Sequence, residues 1–197
     1  MHLPDELKDV ITFAYVTGWR ITSEVLPLEW RQVNFEAGEI RLEPRTTKNG
    51  DGRTFPFTKT LRVLLQRRHG EREALKKAST IEPRVFWRMV ADKRGVEKKP
   101  RAIVSFDKAW KVACKAAGCP GRIPHDFRRT AVRNLVRADI PDSIAMKLTG
   151  HKTRSVFDRY DIASSTDFKD AARKLDDAAN LQHANGRSVR ANRQPVV

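Results

Sequence analysis

Apolar residues recur along much of the chain at the spacing of one helix face. Leu3, Leu7, Val10, Ile11 and Ala14 form one such stripe, which predicts a first helix over residues 4–16. A stripe closed by Gly118 predicts a later helix, because glycine commonly ends a helix. Further helices are predicted at about 22–30, 58–78, 125–138, 141–149 and 153–160, and the last amphipathic helix contains Phe168, Ala171, Ala172 and Leu175.

Two short segments near the front of the chain have strand character instead. Residues 39–43 alternate polar and apolar side chains, and residues 53–57 resemble a second strand. Between them, Asn49-Gly50 and Asp51-Gly52 are typical of a hairpin turn. Residues 90–101 lack periodicity and are predicted to be a basic loop, and residues 181–197 a disordered tail. The predicted fold class is mainly α with a small antiparallel β-sheet (α+β).

Composition indicates the kind of partner. The chain has 197 residues, of which 40% are hydrophobic, so it can bury a core. Its formal net charge is +15 at pH 7, which favours a polyanionic partner, most often nucleic acid. The alternative is a protein with a merely basic, solvated surface.

The cellular setting follows from what the sequence lacks. No apolar stretch approaches the roughly 20 residues needed to cross a bilayer, and the N-terminus does not resemble a signal peptide. Of the two cysteines, Cys114 is predicted to be buried, and neither Cys114 nor Cys119 has metal-ligand spacing. We expect no membrane contact, no metal and no cofactor, in a reducing, cytoplasmic setting.

Cleavage of a phosphodiester without a metal needs a nucleophile, cations for the phosphate oxygens and an acid for the leaving oxygen. Arginine suits the phosphate, since its planar fork binds two oxygens and keeps its charge. His-x-x-Arg occurs three times in the chain, so that motif alone selects no site. His125 and Arg128 are favoured among the three pairs, because they stand where a helix begins and its free N–H groups attract an anion.

The order of motifs is more informative than any one of them. Thr17-Gly18-Trp19-Arg20 comes first, then Thr47-Lys48-Asn49-Gly50 in the predicted hairpin. His125-Asp126-Phe127-Arg128 and Leu148-Thr149-Gly150-His151 follow, and Tyr160 stands nine residues after His151. This series, over about residues 7–165, resembles the tyrosine recombinase (phage integrase) family.

The resemblance implies a role for each matching residue. The residues matching Arg20 and Arg128 clamp the scissile phosphate, and the match to Lys48 protonates the leaving 5′ oxygen. The match to Tyr160 attacks phosphorus and forms a 3′-phosphotyrosyl link, so strands are rejoined without ATP. The matches to His125 and His151 hydrogen-bond the phosphate and assist proton transfer.

Two departures from the family pattern bear on these roles. The usual acidic residue three positions after the first arginine is replaced by Ser23, and Glu24 follows one position later. Glu24 lies on the same helical face as Arg20 and is expected to support it. The family's usual N-terminal DNA-binding domain is not seen, so we expect a catalytic domain at 1–180, from a fragment or a truncated copy.

Each candidate also has a plainer reading. Lys48 suits any polar turn, and His151 suits a helix cap. Arg129 and Arg133 follow on the helix of Arg128 and are expected to contact the DNA backbone or simply to be solvated. Of the chain's two tyrosines, Tyr15 is predicted to lie in the core, and the other is flanked by charged residues that are not typical of a core.

The predicted function is site-specific DNA recombination or integration by a bacterial or phage-derived enzyme. Two alternatives stay open: a type IB topoisomerase-like activity, and a decayed integrase that only binds DNA. The implied partners are double-stranded DNA and further copies of the chain. We expect a tetramer on DNA and a monomer in solution.

Overall fold

The computed structural model describes residues 3–44, 50, 52–92, 94–160, 168–177 and 180. It divides the chain into two units, Met1–Asp161 and Ile162–Val197. The described part is mainly helical with two small antiparallel sheets, as predicted. Within the described residues, no helix is both long enough and apolar enough to cross a bilayer.

The first unit contains six α-helices within its described residues. They are α1 (Asp5–Thr17), α2 (Lys59–Lys77), α3 (Asp107–Ala116), α4 (Asp126–Arg137), α5 (Asp142–Thr149) and α6 (Arg154–Asp158). Each was predicted from the sequence, and the predicted ranges agree with the observed bounds to within a few residues. Helix α1 ends at Gly18 and α5 at Gly150, both in the left-handed conformation that glycine adopts without strain.

A three-stranded sheet lies between α1 and α2 in the chain. Its strands are β1 (Val33–Asn34), β2 (Glu39–Leu42) and β3 (Arg53–Pro56), in the order β1-β2-β3. Strands β2 and β3 pair antiparallel with Ile40 opposite Phe55, which confirms the two predicted strands. The sheet, α1 and α2 share one core, which includes Val10, Phe13, Ile40, Phe55 and Leu65.

A second, smaller core holds the helices that follow. Val132 of α4, Ala145 of α5 and Phe157 of α6 are fully buried together, and Tyr160 packs partly against them. The loop that carries Tyr160 is therefore attached to the same helices that carry Arg128 and His151.

Two predicted segments differ from the structure. Residues 22–30 are not one α-helix but a π-helical turn, Ile21–Val25, followed by a 3₁₀ turn, Trp30–Gln32. The helix is interrupted because Pro27 has no N–H to continue it, and the chain then becomes extended to pair Glu29 with Arg84. Residues 90–101 are not a loop but most of a hairpin, β4 (Trp87–Ala91) with β5 (Lys98–Ala102).

This hairpin escaped prediction because its strands lack apolar alternation. Nearly all of its side chains are exposed, so no buried face leaves a period of two in the sequence. The prediction for Tyr15 was also wrong, since its side chain is 44% exposed. The buried face of α1 runs through Val10, Phe13 and Thr17, and Tyr15 points away from that face.

Cys114 is buried as predicted, and Cys119 is exposed. In the second unit, residues 168–177 are helical, in agreement with the predicted last helix. Phe168 and Leu175 are largely exposed on it. The predicted tail, residues 181–197, lies outside the described residues.

Candidate active site

The turn after α1 brings the first motif against α4 and α5. At Gly18 an added Cβ would lie 2.9 Å from Cβ of Ala131, so only glycine lets α1 approach α4 this closely. The Trp19 indole N–H donates to the carbonyl of Leu148 at 2.9 Å. Arg20 therefore stands where the end of α1 meets α4 and α5.

Glu24 holds Arg20 from within the π-helical turn. Its side chain is fully buried; one oxygen accepts from the Arg20 backbone N–H at 2.7 Å and the other from Arg20 Nη1 at 2.8 Å. Burial by itself would raise the pKa of the Glu24 carboxyl. The charge of Arg53 and the hydrogen bonds from Arg20 outweigh burial and hold that pKa below its ordinary value. Glu24 is therefore ionised and in direct contact with Arg20, and its supporting role stays a prediction.

Arg53 is a member of this site that the sequence analysis did not single out. Its Nη2 lies 2.5 Å from Glu24 Oε2, in an ion pair that is not aligned as a hydrogen bond. Its side chain is only 7% exposed and lies against Gly150, where an added Cβ would fall 1.5 Å from Arg53 Nη1. Burial lowers the pKa of Arg53, although the carboxylate of Glu24 opposes that shift.

A signal for Arg53 was present in the sequence. Side chains two apart in a strand share a face, and Arg53 shares its face with the buried Phe55. An arginine on an inward face must be paired, because an unpaired buried charge is strongly unfavourable. The alternation of β3 thus pointed to a buried ion pair near the hairpin.

Arg128 occupies the centre of the site and is 3% exposed. Its Nη1 donates to the carbonyl of Gly18 at 2.6 Å, and its Nε donates to Nε2 of His151 at 3.2 Å. Its Nη2 is buried without a hydrogen-bond partner among the described residues. Burial and the charge of Arg20 lower the pKa of Arg128 to about 10, so the guanidinium stays charged at neutral pH. One donor of this fixed cation thus lacks a hydrogen-bond partner in the described part of the chain, and an anion could satisfy it.

His151 follows the glycine that ends α5 and is 7% exposed. Burial, then the neighbouring charge of Arg128, lowers its pKa to about 3. His151 is consequently neutral at physiological pH. Its ring centroid lies 4.9 Å from that of Tyr160.

Tyr160 and His125 form the remaining contact of the site. The Tyr160 hydroxyl lies 3.0 Å from Nε2 of His125, and the Tyr160 ring lies 5.9 Å from Cζ of Arg128. Partial burial, then the charge of Arg128, lowers the pKa of His125. A neutral imidazole in hydrogen-bond contact with a phenol can accept its proton.

The structure therefore brings together five of the six predicted catalytic residues. They are Arg20, His125, Arg128, His151 and Tyr160. Lys48 lies outside the described residues. On α4, Arg129 is exposed and Arg133 is partly buried.

A cleft of about 560 Å³ opens beside this cluster. Arg53, Lys147 and Lys152 contribute positive charge to its walls, beside the neutral ring of His151. In the described part of the chain, no group of three or more histidine, cysteine, aspartate or glutamate side chains is placed to hold a metal ion. The cleft suits a ligand with anionic oxygens, which would lie next to the Tyr160 phenol and its proton acceptor, His125.

Comparison with known proteins identifies relatives of this chain. The model of the phage integrase family matches residues 3–190. The integrase of Salmonella phage P22 is 26% identical over 175 residues, which cover 87% of this chain and 43% of that protein. The chain therefore spans less than half the length of this curated relative.

Solved structures share the fold at lower identity. The XerA recombinase superposes with a TM-score of 0.62 at 18% identity, covering 89% of this chain and 66% of that one. The Tn1549 transposon integrase in complex with circular intermediate DNA has a TM-score of 0.60 at 21% identity, and the match covers 85% of this chain and 57% of that one. A lambda integrase dimer bound to a COC′ core site has a TM-score of 0.55 at 22% identity, and the match covers 80% of this chain and 42% of that one.

Proposed function

Because this chain belongs to the phage integrase family, we propose that it is a site-specific DNA recombinase whose nucleophile is Tyr160. The family resemblance and the tyrosine recombinase catalytic-domain fold predicted from the motifs are both confirmed. One observation carries the proposal for the reaction. The Tyr160 hydroxyl contacts His125 at 3.0 Å, beside Arg128, whose Nη2 has no hydrogen-bond partner among the residues that the structure describes.

In the proposed reaction, the Tyr160 oxygen attacks the phosphorus of a DNA strand and its proton passes to Nε2 of His125. A free phenol has a pKa near 10, so at neutral pH it needs such an acceptor. The bond from phosphorus to the 5′ oxygen breaks, and Lys48 supplies the proton that this oxygen takes up. The product is a 3′-phosphotyrosyl link and a free 5′ hydroxyl, and the reverse sequence rejoins the strands without ATP.

Arg20 and Arg128 bind the non-bridging oxygens of the phosphate in this proposal. Arg128 is held by Gly18 and His151 through two of its nitrogens, and Nη2 is left for the phosphate. Arg20 is oriented by the buried carboxylate of Glu24. Cations fixed before the substrate arrives stabilise developing negative charge without reorganisation.

His151 takes a different part from the one that the family resemblance implies. Its Nε2 accepts from Arg128 and so carries no proton to donate, and its pKa of about 3 keeps the ring neutral. We assign it to orienting Arg128 and give the proton transfers to His125 and Lys48.

The proposed substrate is double-stranded DNA. The net charge of +15 supports it, and exposed Arg129, with Arg133 one turn on, would neutralise backbone phosphates. A tetramer on DNA, a monomer in solution and a catalytic domain over 1–180 belong to the same proposal.

The test is covalent trapping on a nicked suicide substrate, resolved on a denaturing gel. The wild-type chain is expected to form a protein–DNA adduct that persists in excess EDTA, and Tyr160→Phe is expected to form none while still binding DNA. Tyr15→Phe is the matched control, since Tyr15 is the chain's other tyrosine and should leave trapping unchanged. An adduct from Tyr160→Phe would overturn the assignment.

The same assay separates the two alternatives. A wild-type chain that binds DNA and forms no adduct would be the decayed, binding-only integrase. A chain that relaxes supercoils but exchanges no strands between two sites would be topoisomerase-like.

A further inference from the structure

Thr149 stands between α5 and His151 in a buried chain of hydrogen bonds. Its Oγ1 lies 2.7 Å from the carbonyl oxygen of Ala145 and 2.7 Å from Nδ1 of His151. On the far side of the imidazole, Nε2 lies 3.2 Å from Nε of Arg128. Thr149 is fully buried, and the other two residues are less than a tenth exposed, so these contacts lie largely out of solvent.

Counting donors along this chain leaves one arrangement of protons. A hydroxyl has a single hydrogen, and the carbonyl of Ala145 can only accept, so the Thr149 hydrogen points to Ala145. Nδ1 of His151 must then donate to Thr149 Oγ1. An arginine Nε always donates, so Nε2 of His151 must accept. Both ends of the imidazole thus require the same neutral form, with its proton on Nδ1.

We propose that Thr149 is a positioning residue that holds His151 in the Nδ1-protonated neutral form, so that Nε2 fixes Arg128 for the phosphate. The role of Arg128 rests on the proposed function, whereas the form of His151 is a property of the free protein. A second-layer hydroxyl that fixes a histidine tautomer sets what the other ring nitrogen can do.

The charges around His151 act in the same direction. A proton on Nε2 would face the N–H of Arg128, and the pKa of about 3 follows from burial and from the cations close by. Those cations are Arg128, Arg20 and Arg53, and the His125 imidazole and the Tyr160 phenol also lie close to the ring.

The hydrogen bond from Thr149 to the carbonyl four residues earlier is not special by itself. Threonines within helices often make it, and Thr130 of α4 makes the same bond to Asp126 at 3.2 Å without touching a histidine. The contact with Nδ1 is what distinguishes Thr149. Thr130→Val is therefore a matched control for loss of a helix hydroxyl.

The direct test is nitrogen-15 NMR of the histidine rings in the DNA-free chain. The chain has five histidines, and the His151 signal is identified by its loss in His151→Asn. We expect the wild type to show a proton on Nδ1, unchanged between about pH 5 and 8. Thr149→Val is expected to lose this single form, and Thr149→Ser, which keeps the hydroxyl, to retain it.

The functional readout is single-turnover cleavage of the suicide substrate. We expect Thr149→Val to slow cleavage about 10-fold, on the order of one lost hydrogen bond to a charged group, with DNA affinity unchanged. Thr149→Ser and Thr130→Val should cleave like the wild type.

Two results would overturn the proposal. One is a wild-type His151 that carries its proton on Nε2 or titrates in that pH range. The other is a folded Thr149→Val chain with an unchanged His151 spectrum; if this variant does not fold, the wild-type and Thr149→Ser spectra still decide. The spectra require no reaction, so a wild type without any covalent adduct would reject the proposed function and leave this result standing.

Discussion

Replacing Glu24 by glutamine tests the support beneath the proposed phosphate clamp. The substitution keeps the volume of the side chain and removes its charge. Glu24 is fully buried between Arg20 Nη1 at 2.8 Å and Arg53 Nη2 at 2.5 Å. The variant therefore leaves Arg20 and Arg53 with no carboxylate between them, and Arg53 is almost completely buried.

The expected cost follows from these contacts. Two unit charges about 4 Å apart attract by about 4 kcal/mol at an effective dielectric constant of about 20. Losing two such contacts is partly offset, because the desolvation penalty of the Glu24 carboxylate, several kcal/mol, is also removed. We expect Glu24→Gln to lower the free energy of unfolding by about 3 kcal/mol, within the range of about 3–5 kcal/mol for a broken buried pair.

Chemical denaturation monitored by circular dichroism measures this change. Glu73→Gln is the matched control, because Glu73 is 40% exposed and its contacts with His69 and Lys76 are 3.9 Å long. It should alter stability little. A double-mutant cycle with Arg53→Met should show coupling, since Glu24 and Arg53 contact each other directly.

The pH dependence gives a second measure. The pKa of Glu24 is lower in the folded than in the unfolded chain, so its ionised form stabilises the fold above its ordinary value of 4.5. That stability is lost as the pH falls through the folded pKa, and Glu24→Gln should lack this part of the acid transition. A stability change under about 1 kcal/mol, or strict additivity with Arg53→Met, would refute the reasoning.

Four further predictions follow from individual contacts. Gly150→Ala places a Cβ 1.5 Å from Arg53 Nη1 at a φ of +73°, and denaturation should show unfolding easier by about 2–5 kcal/mol; a loss under about 1 kcal/mol would contradict the contact. Because the pKa of His125 is lowered, the pH profile of adduct formation should fall only below about pH 6.5, and an acid midpoint above that value would exclude it as the proton acceptor. Below about pH 6.5, His151 is neutral in the folded chain and gains a proton on unfolding. From about pH 6.5 towards 3, the free energy of unfolding should therefore drop by up to about 1.4 kcal/mol per pH unit more than in His151→Asn. An equal dependence on pH in the two proteins would be inconsistent with a buried neutral ring. Lys48→Ala should slow cleavage by about 10²–10⁴, and a 5′-sulfur leaving group, which needs no proton, should restore the rate; failure of that rescue would give the acid role to another residue.

The helices were predictable because most of them bury one face. The helix before Gly118 and the predicted helix at 153–160 both pack against a core. A buried helix face leaves apolar residues at a regular spacing in the sequence. The hairpin of β4 and β5 left no such period, since its side chains are mostly exposed. The break near Pro27 was signalled by the proline itself, whereas no pattern in residues 21–25 indicated a π-helical turn.

The candidate site was predictable as a set of residues but not as a set of contacts. The order of motifs identified Arg20, Arg128 and Tyr160, and the structure places them together. That order carried no information on Arg53, whose partner Glu24 is distant in sequence. The hydrogen bond from Arg128 to His151 required the fold, because it forms only when α4 packs on α5.

The turn at Gly18 also determines when the site can exist as the chain is made. Its carbonyl meets Arg128 across 110 residues, and the neighbouring Trp19 meets Leu148 across 129. Both contacts close long loops, which is entropically costly and slow compared with forming the helices themselves. A nascent chain shorter than 148 residues contains Arg20 but still lacks both Leu148 and His151. We therefore expect the cluster to assemble late in folding, after the helices have formed.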